Sequence, residues 1–255
     1  MIRLQTGRAS GRHSIAAEVA LVALLCALMG ACGAVRADPE PLLLEHDGRW
    51  LVRTPTQLNT LPPGFVEPYP VARVYGTFGD CRPGGRQHRG LDLGGIGEHA
   101  GLGSPVRALT RSRVTLIVRP EDDPARWGRR DSRRGTVERS GETLPRVLAV
   151  PSYGDVYFFT RDHGSAHTGV MVVTEAVGGV LDGHTIRYMH LGDPHPGLDV
   201  GVVLEAGQEL GVMGGTAIMQ SLPHVHIDIE DERGRRVDVA AFVGLSPDTR
   251  RCSRR

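Results

Sequence analysis

His224-Val225-His226-Ile227-Asp228-Ile229-Glu230 decides how this chain is read. Strict alternation has the period of an extended strand, so Val225, Ile227 and Ile229 share one face and His224, His226, Asp228 and Glu230 share the other. One face is suited to packing and the other to a cleft. An edge strand with a polar outer side would carry the same pattern, so the meaning of this segment depends on what the rest of the chain supplies.

Outward from it lie further apolar runs of strand length, separated by glycines, at 71–78, 114–118, 170–176, 184–191, 200–204 and 210–213. With 34 Gly and 17 Pro in 255 residues, turns between short strands are favoured over a helical bundle, and the pattern is all-β. Hydrophobic residues at 40% and charged residues at 23% exclude wholesale disorder and a multi-span membrane protein. All 30 basic residues are arginine, which excludes Schiff-base chemistry and lysine-tethered cofactors. The 200–214 segment looks like a lipoyl or biotinyl carrier hairpin, and the missing lysine excludes that role too. A net charge of +1 argues against a generic nucleic-acid grip, so no nucleic-acid partner is expected.

The histidines carry the chemistry. His88-Arg89-Gly90-Leu91-Asp92 puts an imidazole and a carboxylate four residues apart, beside glycine-rich turns that let both aim at one ion. Alternation through 184–191 sets Tyr188 and His190 on one face, Arg187 and Met189 on the other. With the 224–230 strand, these segments supply two imidazoles and a carboxylate for a metal, plus two spare imidazoles for moving protons. Three protein ligands and an open fourth position describe catalytic zinc, which lowers the pKa of its water to about 7. Mixed His and Asp ligation also suits manganese or iron, so zinc is the favoured metal among these. Spacing alone does not tell His224 from His226 as the ligand.

Five motifs in order, His88 to Asp92, Gly103-Ser104-Pro105-Val106, Tyr188-Met189-His190-Leu191, Gly207-Gln208-Glu209-Leu210-Gly211 and His224-Val225-His226, make the chain resemble the lysostaphin-type, LytM-like zinc endopeptidases of peptidoglycan. The resemblance spans about 71–244. It implies an antiparallel β-sheet groove with one Zn2+ held by His88, Asp92 and His226, catalytic roles for His190 and His224 at the water and the developing oxyanion, and a substrate contact from Tyr188. It also implies a peptidoglycan peptide as substrate. A non-catalytic wall-binding or regulatory lipoprotein on the same fold is the alternative. The chain departs from the family pattern at Asp228, where Glu is usual, at Leu222, and in a much longer 119–168 region. A helical His-Glu-x-x-His protease motif is absent.

Domain expectations follow. Residues 1–31 carry a basic start and an apolar run too short to span a bilayer comfortably, which is the form of an export signal. Met29-Gly30-Ala31-Cys32 resembles a lipobox, which would make Cys32 the lipidated first residue and place the protein in the cell envelope, in the periplasm as an outer-membrane lipoprotein; cleavage after Ala37 would instead release it. Residues 32–70 are expected to be a spacer or arm, 71–245 the catalytic domain and 246–255 a polar tail. The 119–168 stretch, dense in mixed charge and without apolar periodicity, is expected to be a solvated insertion or lid. In an exported chain Cys81 and Cys252 are expected to pair.

Overall fold

In a computed structural model of the chain the described residues are 42–46, 49–53, 73–82, 86–94, 98–161, 168–218 and 220–243. The described residues all lie within one compact unit, Glu40–Arg255. The expected signal, Cys32 and the C-terminal tail with Cys252 lie outside the described residues. No helix among the described residues is long and apolar enough to cross a membrane.

The fold is all-β, as its sequence pattern implies. Within the expected spacer, β1 (Leu42–His46) and β2 (Arg49–Arg53) pair as an antiparallel hairpin. There follow β3 (Arg73–Gly76), a short hairpin of β4 (Cys81–Arg82) and β5 (Arg86–Gln87), β6 (Leu91–Gly94), β7 (Pro105–Arg107), β8 (Ser112–Val118) and one four-residue helix, α1 (Pro124–Trp127). Two hairpins come next, β9 (Thr136–Arg139) with β10 (Glu142–Pro145) and β11 (Val147–Val150) with β12 (Gly154–Tyr157). The chain then runs through β13 (Val170–Ala176), β14 (Thr185–Pro194), β15 (Val203–Leu204), β16 (Glu209–Met213), β17 (His224–Glu230) and β18 (Arg236–Val237).

Ten strands form one sheet among the described residues, in the order β15-β8-β13-β14-β17-β6-β3, with β16 beside β14 and β7, and β18 beside β17. Its pairings are antiparallel. Val225, Ile227 and Ile229 are fully buried, so the apolar face of β17 packs as its alternation requires. They join Leu91 and Leu93 of β6, Val172 of β13 and Ile186 and Tyr188 of β14 in the main core. Removing this apolar surface from water drives the sheet to close over one face and leaves the other for the histidines.

The 119–168 region is not the solvated lid that its composition suggests. Leu144, Val150, Val156, Phe158 and Phe159 form a second buried cluster with Ala100, Leu102, Val212 and Leu222, so part of the insertion is core. The four-residue strands alternate too briefly for their periodicity to emerge from the surrounding arginines. Asp131, almost wholly inaccessible, is bound by Arg133, Arg146 and Arg161, and this network absorbs much of the region's charge. Hydrogen bonds tie the region to the site: Gly215 N donates to Phe158 O at 2.9 Å, and Ala217 N donates to the Thr160 hydroxyl Oγ1 at 2.9 Å.

Candidate metal centre

β17 lies between β6 and β14, with His226 directly opposite Asp92 on one side and Met189 on the other. Opposed residues of an antiparallel pair project from the same face, so this register alone brings the Asp92 carboxylate to the His226 ring. His226 Nδ1 is 2.7 Å from Asp92 Oδ1. His88 arrives from the turn that feeds β6, with its Nε2 3.1 Å from Asp92 Oδ1 and 3.1 Å from His226 Nδ1. Gly90, between the two, has no alternative: a Cβ there would lie 2.3 Å from Ile227 O and 2.7 Å from His226 Nε2.

The two remaining imidazoles stand beside this trio. His190 and His224 have ring centroids 5.1 Å apart, and His190 is 6.1 Å from His226. His190 Nδ1 faces Thr216 O at 2.9 Å, His224 Nδ1 faces Leu222 O at 2.9 Å, and His88 Nδ1 faces Thr77 O at 3.0 Å. A carbonyl can only accept, so each Nδ1 carries the hydrogen, and in a neutral ring that leaves Nε2 with its lone pair. Burial lowers the pKa of both His190 and His224, that of His190 well below its ordinary value, so both rings are held neutral. Burial works to raise the Asp92 pKa, but the imidazoles of His224, His226 and His88 around it hold it well below the ordinary carboxylate range.

This donor set fits a zinc ion. Asp92 Oδ1 and His88 Nε2 face each other at 3.1 Å with His226 Nδ1 beside both, so three atoms of metal-ligating type converge. A cation satisfies all three, and two neutral imidazoles with one carboxylate are a common three-ligand set for zinc. Asp228 Oδ2, 3.9 Å from His226 Nε2, lies on the far side of that ring.

Two expected placements change. Tyr188 does not line the cleft: it is fully buried in the main core, and its hydroxyl accepts from Leu109 N at 2.8 Å. It therefore cannot touch a substrate. Burial raises its pKa. Alternation fails between Tyr188 and His190 because β14 bulges there and His190 adopts φ +65°, which turns its ring to the opposite face. Asp228 and Glu230, on the polar face of β17, are occupied by Arg187 at 2.9 and 3.0 Å and by Arg236. Cys81 is disulfide-bonded, and the Cys252 half of the expected pair lies outside the described residues.

The sequence reading misses four contributors. Thr77 and Thr216 act through backbone carbonyls, which leave no mark in a side-chain pattern, and Tyr75 packs edge-on against His224 at 5.9 Å. Arg82 donates to Asp92 Oδ2 at 2.5 Å.

No family model and no curated protein matches the chain. Among solved structures, it is similar to the catalytic domain of the antimicrobial peptidase lysostaphin from Staphylococcus simulans, with 18% identity over 67% of this chain and 90% of that one and a TM-score of 0.41. It is similar to Csd3 from Helicobacter pylori, with 17% identity over 74% of this chain and 36% of that one and a TM-score of 0.43. A zinc containing peptidase from Vibrio cholerae has 17% identity over 79% of this chain and 45% of that one, with a TM-score of 0.39.

Proposed function

We propose that the chain is a zinc-dependent endopeptidase of the LytM-like type that hydrolyses peptide bonds in the stems or cross-bridges of peptidoglycan. The observation that carries this reading is the trio of His88, Asp92 and His226, converging on one point, with two further neutral imidazoles, His190 and His224, at its edge. In this reading His88 Nε2, Asp92 Oδ1 and His226 Nδ1 hold the metal. Zinc, when bound, supplies a Lewis acid for the scissile carbonyl and makes water a nucleophile near neutral pH. His190 and His224 each present a bare Nε2 that takes up a proton from the attacking water and returns it to the leaving amine, and once protonated steadies the developing oxyanion. Their carbonyl partners, Thr216 and Leu222, keep each ring in the tautomer this needs.

Incubating the chain with peptidoglycan, with and without a chelator, and weighing the fragments tests this directly. New amine termini that disappear with chelation identify the bond; intact peptidoglycan in the presence of zinc-loaded protein leaves the wall-binding alternative. We propose further that export and lipidation at Cys32 place the enzyme in the periplasm on the outer membrane. A fatty-acid probe should label the chain and fail to label Cys32→Ser, whereas a soluble mature chain beginning at Asp38 refutes the anchor.

A further inference from the structure

Arg82 is bonded directly to Asp92 of the metal centre, and no step of the proposed hydrolysis uses it. Its Nη2 donates to Asp92 Oδ2 at 2.5 Å, while Asp92 Oδ1 turns to His88 and His226 at 3.1 and 2.7 Å. The two oxygens of one carboxylate are thus divided between a guanidinium and the imidazole pair. The division is built into the local chain. β4 pairs with β5 through Arg82 opposite Arg86, and Cys81, the residue before Arg82, is disulfide-bonded. Across from them Gly76 pairs with Asp92, and a Cβ on Gly76 would lie 2.2 Å from Arg82 Nη2 and 3.0 Å from Asp92 Oδ2. The missing side chain is the space the guanidinium fills.

We propose that Arg82 determines which divalent metal the site prefers, by withholding Asp92 Oδ2 and so limiting Asp92 to one donor oxygen. The inference rests on the metal site of the proposed function. A centre with two nitrogens and a single oxygen suits zinc, which takes four-coordinate N and O ligation readily. Manganese favours more oxygen ligands and a higher coordination number, which a carboxylate free to use both oxygens would help to supply. A guanidinium also repels any cation bound nearby, but that repulsion is the same for two divalent ions. It cancels in the ratio of their affinities, and the ratio therefore reports the carboxylate geometry alone.

The test measures zinc and manganese affinities of the full chain by competition against a chromophoric chelator. Two variants release Oδ2 by independent routes: Arg82→Met removes the guanidinium, and Gly76→Ala pushes it aside while keeping its charge. Both should lower the zinc-to-manganese affinity ratio by about tenfold, the lower end of what a partner of a ligating side chain contributes. Arg82→Lys, which keeps a donor for Oδ2, should hold the ratio within about threefold of the unmutated value. Cobalt-loaded Arg82→Met should absorb visible light more weakly than the unmutated chain, as coordination rises above four. A ratio that stays within twofold in both Arg82→Met and Gly76→Ala, with unchanged cobalt spectra, overturns the role of Arg82. Failure of the unmutated chain to bind zinc at all overturns the metal site itself and this inference with it.

Discussion

The Nδ1–H of His190 donates to the carbonyl oxygen of Thr216 at 2.9 Å, and the Thr216 hydroxyl donates to Leu191 O at 2.8 Å while accepting from Val170 N at 2.9 Å. One residue therefore orients the ring and staples the bulged end of β14 to the start of β13. Thr216→Val keeps the shape and removes both hydroxyl bonds, leaving two buried main-chain groups unpaired at about 1–3 kcal/mol each. Chemical denaturation should register a loss of about 2–6 kcal/mol, with turnover falling further than zinc content. A variant as stable as the unmutated chain would remove the staple from this account.

Metal content and rate should separate across the five site residues. His88→Ala, Asp92→Ala and His226→Ala each remove one of three ligands and should leave zinc far below stoichiometric by elemental analysis. His190→Ala and His224→Ala should retain zinc yet lose roughly a hundredfold in turnover, the scale of acid-base and oxyanion groups. An empty site in His224→Ala with a full one in His226→Ala would exchange their roles.

Gly90→Ala places a methyl group 2.3 Å from Ile227 O and 2.7 Å from His226 Nε2, and neither backbone nor a held ring yields easily. We expect about 1–3 kcal/mol of lost stability from overpacking. Zinc affinity should fall with it, because the ring that must move carries Nδ1. Unchanged affinity in a chelator titration would place the ring elsewhere.

The five motifs are readable in the sequence because each keeps its reacting groups within a few residues. Asp92 and His226 are 134 positions apart, and only the register of β6 against β17 makes them neighbours. That pairing is a tertiary property that neither strand encodes alone. His190 escapes the strand period through a bulge and a left-handed backbone, with no glycine to announce it. Arg82 sits on a two-residue strand, too short to give any pattern. The insertion misleads for another reason: its apolar residues are spread over short hairpins, and the cluster they complete includes Val212 and Leu222 from elsewhere in the chain.

Acid should weaken the insertion through the Asp131 carboxylate. Hydrogen bonds from Arg133, with Arg161 and the charge of Arg146, lower the Asp131 pKa below its ordinary 3.8 against the opposing effect of burial. A carboxyl with a depressed folded pKa binds more protons when unfolded, so its stabilisation is complete well above pH 3.8 and is lost as pH falls from there through the depressed value. Asp131→Asn should therefore cost about 3 kcal/mol at neutral pH, the lower end for breaking a buried pair. It should also flatten melting temperature between about pH 4 and 2 relative to the unmutated chain. Parallel pH curves for the two proteins would show that Asp131 is not the group that titrates.

Phe159 should matter to chemistry it never touches. It is almost fully buried in the second cluster, which also contains Leu222, whose carbonyl orients His224; the neighbouring Phe158 and Thr160 bond Gly215 and Ala217, which flank Thr216, whose carbonyl orients His190. The insertion thus braces both carbonyls that set the tautomers of the proposed proton carriers. Phe159→Ala should cost about 3–5 kcal/mol from lost burial and the cavity left behind. If it remains folded at low temperature, zinc content should stay stoichiometric, since His88, Asp92 and His226 belong to β6, β17 and the turn before β6, while turnover on a small peptide drops severalfold or more. A solvated gate would behave differently: large walls would be cut faster or slower, and a small peptide would be cut at the original rate. Unchanged small-peptide turnover in Phe159→Ala would therefore return the insertion to the surface.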